Sequence, residues 1–363
     1  MNKDGKKVFI AATRQNDGKT AICIGLLLSL ISTKKNVGFI KPVGQKYVVV
    51  DGEKVDKDTI LMKKVCGLKE SLRDMNPVAI EEGFTSEYLD DPHPDILKEK
   101  IINSYNKVSA EKDVIVIEGT GHAGVGSVFD LNNADVAQML DAPVVLVSIG
   151  GIGRPIDEVA LNVALFEKKG VKIKGVVINK VDEEKKTKLE KYLTKGFTRM
   201  GLKVLGLLPF ISLLSQPSLF QVCEAVKGKV LAGEKYLFRK VGKVIVGAMT
   251  PRHAIDYLQP NTLLVTPGDR EDLILSALIQ CTLTDACSQT IVGIVLTGGL
   301  YPHKSILDLI KKVNIPTISA PAGTYEVASA INLLVGKIRE EDSDKIKIAH
   351  KLVQEHICLE EIF

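Results

Sequence analysis

The stretch Val8-Phe9-Ile10-Ala11-Ala12-Thr13-Arg14-Gln15-Asn16-Asp17-Gly18-Lys19-Thr20, continued by the apolar run Ala21 to Ile31, decides the fold. It reads as a short buried strand, a polar turn ending in Gly18-Lys19-Thr20, and an apolar helix. In that order backbone N–H groups and a helix N-terminus converge on an anion, the lysine reaches its outer phosphates, and the hydroxyl reaches Mg²⁺. The candidate cradle is therefore Thr13, Asn16, Asp17, Gly18, Lys19, Thr20 and Ala21. It departs from the standard phosphate-loop pattern at Thr13, which stands where a glycine is expected, five residues before Gly18.

Outward from this stretch, β-branched runs alternate with helical patterns. Lys7–Ala11, Val37–Lys41, Val114–Glu118, Val144–Ile149, Gly175–Asn179 and Lys203–Leu208 read as strands. Each is nearly all apolar, as a parallel strand covered on both faces must be. Helices fill the gaps at Lys19–Ser32, Thr59–Cys66, His93–Val108, Ala134–Leu140, Pro155–Lys169 and Glu183–Met200. The alternation predicts an α/β fold, a doubly wound, mostly parallel sheet with helices on both faces and ligands beyond the carboxyl ends of its strands, and the Gly18-Lys19-Thr20 turn after its first strand makes the expected sheet a P-loop NTPase-type one. The polar turns do follow strands, at Thr13–Gly18, Lys41–Gln45, Glu118–Gly126, Gly150–Arg154 and Asn179–Asp182. The acidic stretch Thr85 to Pro94, with two prolines, reads as a surface loop. A composition shift over Lys227 to Lys243 predicts two domains, 1–227 and 228–363. The second is a smaller α/β domain whose tail, Glu340–Glu355, is a charged amphipathic helix.

Composition narrows the classes. The 363 residues are 45% hydrophobic and 25% charged, which is ordinary globular usage. There is no Trp, and the net charge is only +4. An aromatic platform for single strands and an electrostatic footprint on nucleic acid or an anionic membrane are therefore not expected. Cys23, Cys66, Cys223, Cys281, Cys287 and Cys358 form no C-x-x-C pair and read as buried free thiols in a reducing cytosol. The N-terminus runs directly into a strand with no signal peptide pattern, and the longest apolar run is too short to span a bilayer. A soluble cytoplasmic protein is expected.

Further strand ends supply chemistry. Lys41-Pro42-Val43-Gly44 brings a second cation to the crevice of the phosphate turn, so Lys19 and Lys41 are the candidate catalytic cations. Glu118, ending an apolar strand before Gly119-Thr120-Gly121-His122, places a hard carboxylate for Mg²⁺. In Asp56-Lys57-Asp58, Asp58 either completes the Mg²⁺ shell or caps the following helix. The candidate metal donors are thus Thr20, Asp58 and Glu118. Asn179-Lys180-Val181-Asp182 matches the N-K-x-D pattern that reads a purine edge, with Asn179 at the base and guanine against adenine undecided. In the second domain Thr266-Pro267-Gly268-Asp269-Arg270, Thr297-Gly298-Gly299 and Pro321-Ala322-Gly323-Thr324 line one sheet edge. They either bind an anion through Arg270 and helix N-termini or are tight turns with nothing bound.

AATRQNDGKT, FIKPVGQ, VIVIEGTGHAGVGS, SIGGIGRPIDE and GVVINKVD occur in the order and spacing of the dethiobiotin synthetase-like P-loop domains, and the first domain resembles that family. The family includes the ATPase domain of cobyrinic acid a,c-diamide synthase. Its members commonly lack the glycine at Thr13 and carry a small residue one place earlier, here Ala12. Through VGAMTPRHAIDYL, LVTPGDREDLI and LTGG the second domain resembles a DRTGG domain. The combination is similar to the N-terminal, non-catalytic part of bacterial phosphate acetyltransferases. The resemblance implies ATP and Mg²⁺ as cofactors, with Lys19, Thr20 and Lys41 at the phosphates, Thr20, Asp58 and Glu118 around the metal, and Asn179 by the base.

The turn Gly44-Gln45-Lys46 and the sequence Glu118-Gly119-Thr120-Gly121-His122 depart from dethiobiotin synthetase itself, so its carboxylation is not carried over. The expectation is a Mg-ATP-binding, metabolite-sensing regulatory protein and a homo-oligomer. The alternatives are an ATP-dependent ligase that activates a carboxylate or carbamate near Lys41 and His122, and a GTPase built on Asn179 to Asp182. An ATPase or ligase activity stays open. Phosphate acetyltransferase activity is not expected, because its catalytic domain is not recognised in these residues.

Overall fold

A computed structural model of the protein describes residues 6–45, 47–283 and 291–363. Lys46 and Cys287 lie outside these residues. The chain divides into two compact units. Unit 1 runs to Ile211 and resumes at Ile338, and unit 2 is Ser212–Lys337.

Unit 1 is built on six parallel strands: β1 (Lys6–Ala12), β2 (Val37–Ile40), β3 (Val114–Glu118), β4 (Val144–Ile149), β5 (Ile173–Val181) and β6 (Val204–Pro209). Their order is β6-β5-β4-β1-β3-β2. The chain therefore crosses in both directions from β1, and the crevice beside its carboxyl end is the switch point where such sheets bind ligands. Register places Ile10 beside Glu118 and Ala12 beside Val147, so the turn after β1 opens next to the end of β3. Val8 to Ala12 and all of β3 are buried, as their apolar sequence requires. Helices α1 (Lys19–Ser32), α2 (Lys57–Cys66), α3 (Pro94–Ser109), α4 (Asn133–Met139), α5 (Arg154–Lys168) and α6 (Lys186–Arg199) lie between the strands and cover both faces.

Two local expectations change. Between β2 and α2 the chain forms an antiparallel hairpin, Tyr47–Val50 against Glu53–Asp56. The acidic stretch read as a loop contains a helix, Phe84–Asp90, because Tyr88 is buried and packs with Phe84 against the ring of Phe129.

Unit 2 has five strands: β7 (Lys229–Ala232), β8 (Lys243–Val246), β9 (Thr262–Pro267), β10 (Ile291–Thr297) and β11 (Thr317–Ser319), in the order β7-β11-β10-β9-β8. Among these strands of the described residues, only β7 pairs antiparallel. Helix α7 (Leu219–Ala225) is followed by α8 (Glu271–Leu283), α9 (Lys304–Val313) and α10 (Thr324–Asn332). Alternate residues of β9 and β10 face opposite ways, as the pleat dictates. Leu263, Val265 and Val295 pack with Leu219, Val222, Val327 and Ile331. Leu264, Ile294 and Leu296 pack with Ile274, Leu278, Ile306 and Ile310.

The division differs from the expected boundary after Lys227. Leu219, Val222 and Val226 belong to the core of unit 2, which moves the first crossing to Ile211. The C-terminal helix α11 (Ser343–His356) belongs to unit 1, not to the second domain. It buries Ala349, Leu352 and Val353, and Gly25 of α1 lets it approach. A Cβ at Gly25 would lie 2.2 Å from Val353 Cγ2 and 2.7 Å from the Ala349 carbonyl oxygen. Among the described residues no helix is long and apolar enough to cross a membrane.

Candidate functional site

The turn after β1 is shaped by its own side chains. Thr13 N donates to the Val147 carbonyl at 2.9 Å, and Thr13 Oγ1 donates to Asp17 Oδ2 at 2.8 Å. Arg14 N donates to the same carboxylate oxygen at 2.8 Å. Thr13 thus fills the glycine position with a hydroxyl that closes the turn. Asp17 is buried, and burial raises its carboxyl above the usual range while Thr13 and Arg14 pull it back. Asn16 is exposed at φ 65, and Gly18 precedes α1 at φ 109. Ala21, in the first turn of α1, is half-buried.

The cations and carboxylates gather at the ends of β2 and β3. Lys19 is buried and donates to the Gly121 carbonyl at 2.9 Å. Burial lowers the pKa of its ammonium, against the raising effect of Glu118. Thr20 Oγ1 donates to Glu118 Oε1 at 3.0 Å. Glu118 Oε2 is buried without a hydrogen-bond partner. Lys41 Nζ lies 2.8 Å from Asp56 Oδ1, 2.5 Å from Asp58 Oδ2 and 3.9 Å from Glu118 Oε1. Burial opposes the charge on Lys41, but Asp58, Glu118 and Asp56 outweigh it and hold the pKa above the ordinary lysine value. Burial pushes the Glu118 carboxyl up to about 7, with Lys41 and Lys19 working against the rise and Asp58 and Asp56 adding to it.

Asp56, not Asp58, caps α2, its Oδ1 accepting from Asp58 N at 2.9 Å. The Asp58 carboxylate accepts from Lys41. Among the described residues no three acidic, histidine or cysteine side chains converge as a ready cation cage. Thr20 and Glu118 meet directly, and Asp58 joins them through Lys41.

Asn179, in β5, donates through Nδ2 to the Asp17 carbonyl at 2.8 Å. Lys180, at φ 56, donates through Nζ to the Asn16 carbonyl at 2.7 Å. These two side chains pin the phosphate turn from the β5 side. Asp182 is turned to another task. It accepts from Glu184 N at 3.2 Å and pairs with Lys185 at 2.9 Å, exposed to solvent. His122 is also exposed, its Nδ1 accepting from Gly124 N at 3.2 Å.

Three asparagines that sequence reading passed over fix the surrounding loops. Asn133 Nδ2 donates to the Thr120 and His122 carbonyls at 2.8 and 2.7 Å, and its Oδ1 accepts from Thr120 N at 2.9 Å. Asn162 Oδ1 accepts from Ala123 N at 2.7 Å. Asn76 donates to the Lys41 carbonyl at 2.8 Å and accepts from Asp56 N at 2.9 Å. For Asn162 a signal existed: it is a polar residue on the buried face of α5 that also carries Val159, Val163 and Phe166.

In unit 2, Arg270 is engaged by the protein. It pairs with Asp272 at 2.9 and 3.0 Å and donates to the Gly247 and Met249 carbonyls at 3.3 and 3.0 Å. Thr297 and Thr324 share a hydroxyl contact of 2.7 Å.

Residues 6–218 match the AAA domain family, and residues 221–334 match the DRTGG domain family. The chain is similar to the phosphate acetyltransferase of Nitratidesulfovibrio vulgaris, 29% identical over 364 residues covering 98% of this chain and 51% of that protein. It is similar to the phosphate acetyltransferase of Pseudomonas putida, 30% identical over 366 residues covering 96% and 50%. Among solved structures it is similar to cobyrinic acid a,c-diamide synthase from Mycobacterium smegmatis with bound ATP analog and magnesium. That likeness has 13% identity and a TM-score of 0.41, and covers 57% of this chain and 86% of that one. The chain spans about half the length of the curated relatives it matches.

These alignments correct one expectation. The expectation that phosphate acetyltransferase activity is absent, for want of a recognised catalytic domain, does not stand. Curated phosphate acetyltransferases align along 93–98% of the chain at 24–30% identity. The aligned residues belong to proteins named for that activity, so an unrecognised catalytic domain excludes nothing.

Proposed function

The chain belongs to the AAA domain family, and on that premise we propose that it binds ATP with Mg²⁺ in unit 1, senses a small metabolite in unit 2, and serves phosphate acetyltransferase activity under that control. The reading rests on one observation above the others. Lys19, Thr20, Lys41 and Glu118 come from three separate strand ends into one buried cluster, where Glu118 Oε2 has no hydrogen-bond partner. A buried carboxylate oxygen with nothing to bond is costly unless a cation completes it. The donor set, a hydroxyl and a carboxylate, suits Mg²⁺, which takes hard oxygen ligands and brings its own waters and phosphate oxygens.

In this reading Thr13, Asn16, Asp17, Gly18 and Ala21 shape the turn whose backbone N–H groups receive the phosphates. Lys19 and Lys41 neutralise the outer phosphates, and Thr20, Glu118 and Asp58 face the metal. Asn179 holds the turn beside the base. When bound, Mg²⁺ would neutralise the charge that accumulates on the phosphates. The match of residues 221–334 to a DRTGG domain supports a regulatory second unit. The alignment with phosphate acetyltransferases supports the activity regulated. We place the protein in the cytoplasm as a homo-oligomer.

Isothermal titration tests the nucleotide reading. ATP with Mg²⁺ binds, and Lys19→Ala weakens it about 10- to 100-fold, the worth of a charge-assisted bond to phosphate. No heat of binding from ATP or GTP with Mg²⁺ would sink it. Competition between the two nucleotides decides between ATP and the N-K-x-D alternative. The regulatory reading is tested by assaying acetyl transfer to phosphate with and without ATP, where an unchanged rate counts against it.

A further inference from the structure

Resting on the Mg-nucleotide reading, we propose that Lys41 is a specificity-determining residue: it keeps free divalent cations off the carboxylates and yields them only to a cation that arrives with nucleotide phosphates. Lys41, Asp56, Asp58 and Glu118 are each less than a tenth exposed. The Lys41 ammonium touches Asp56 Oδ1 at 2.8 Å and Asp58 Oδ2 at 2.5 Å, with Glu118 Oε1 at 3.9 Å. Three carboxylates thus surround a resident cation, and no ready-made cage of three such side chains exists among the described residues. Asp58 is unavailable to a metal while it holds Lys41. A divalent ion at Thr20 and Glu118 would also sit close to a buried ammonium, where like charges repel strongly.

Lys19 does not fill the same place, because its ammonium is on the Gly121 carbonyl. Polyphosphate changes the balance. It offers Lys41 new anionic partners, which draws the ammonium off Asp58 and relieves Glu118 of its neighbouring ammonium at the same time. Asp56 stays as the cap of α2 and marks the place to which Lys41 returns. Metal and nucleotide therefore enter as a pair, and a free metal ion gains little. A purely structural ion pair would leave Mn²⁺ binding by the wild-type chain independent of nucleotide.

The test is Mn²⁺ binding to the full chain, read by electron paramagnetic resonance of the free ion, with and without ADP. Wild-type protein binds Mn²⁺ tightly only with ADP. In Lys41→Gln, Mn²⁺ alone binds about tenfold tighter than to wild type, because a repelling charge is gone. The charge-balanced double variant Lys41→Met with Asp56→Asn gives a smaller gain of the same sign, because the ammonium that occupies Asp58 and repels at Glu118 is gone while one carboxylate is lost with it, and it serves if the single variant does not fold. Folded variants that bind Mn²⁺ alone no tighter than wild type overturn the proposal. So does a wild-type chain that binds Mn²⁺ equally well with and without ADP. A wild-type chain that binds no Mn²⁺ even with ADP overturns the nucleotide reading itself, and this proposal with it.

Discussion

Thr13 donates its hydroxyl to Asp17 Oδ2 at 2.8 Å, across the turn that connects β1 to α1. The contact supplies with a side chain the closure that other phosphate loops obtain from a glycine backbone. Thr13→Val keeps the shape and removes the donor, leaving a buried carboxylate short of a partner. The expected loss is about 1–3 kcal/mol of stability in urea unfolding, with weaker nucleotide binding as the turn loosens. Thr13→Ser keeps the hydroxyl and should stay close to wild type in both measurements.

Glu118 gives a pH dependence of definite sign. Its carboxyl titrates at about 7 in the fold, against an ordinary value of 4.5, so the native state keeps a proton that the unfolded chain has released. Stability then falls as pH rises through that window and levels off above about 7. Urea unfolding across the window should show this slope in wild type and a reduced slope in Glu118→Gln. Mg²⁺–nucleotide binding should release a proton near about pH 6 and tighten toward about pH 8. Titration heats that do not depend on the buffer near pH 6 would contradict it.

Gly18 cannot be replaced cheaply. It sits at φ 109, and a Cβ there would lie 2.1 Å from Asn179 Nδ2. Gly18→Ala should cost about 1–3 kcal/mol from backbone strain and displacement of Asn179. Adding Asn179→Ala should recover part of that loss by removing the clash, with a coupling of about 0.5–3 kcal/mol in a double-mutant cycle. Strictly additive effects would show that the two residues do not press on one another.

Gly25→Ala pits helix propensity against packing. Inside α1 alanine gains about 0.5–1 kcal/mol over glycine. Its Cβ would meet the Ala349 backbone oxygen at 2.7 Å, and overpacking of this kind costs about 1–3 kcal/mol. The clash involves backbone and cannot be relieved by a rotamer, so net destabilisation is expected. Limited proteolysis should cut the segment around α11 faster in the variant than in wild type.

The parallel sheet of unit 1 was legible because β1, β3 and β4 are so uniformly apolar that only a covered strand accommodates them. The phosphate turn was legible because Gly18-Lys19-Thr20 opens an apolar helix. The hairpin over Tyr47 to Asp56 was missed, since Tyr47-Val48-Val49-Val50 is short and only half-buried. The role of Asp56 was missed because two acids two positions apart fit a helix cap equally well, and only the backbone geometry separates them. Asn133 and Asn76 were invisible because their partners are main-chain atoms, which every sequence contains. The placement of α11 was missed for a different reason. Its apolar stripe announces a buried face but carries no address for the surface it covers.

That address has a consequence for how the protein is made. Residues 212–337 are an insertion in unit 1, and the helix that covers Gly25 lies beyond them. While the chain is being synthesised, the face of α1 around Gly25 stays bare until Ala349 and Val353 have left the ribosome. The inserted unit has by then been delivered in full. Unit 1 is therefore completed only after the inserted unit, and until then the hydrophobic seam around Gly25 stays open.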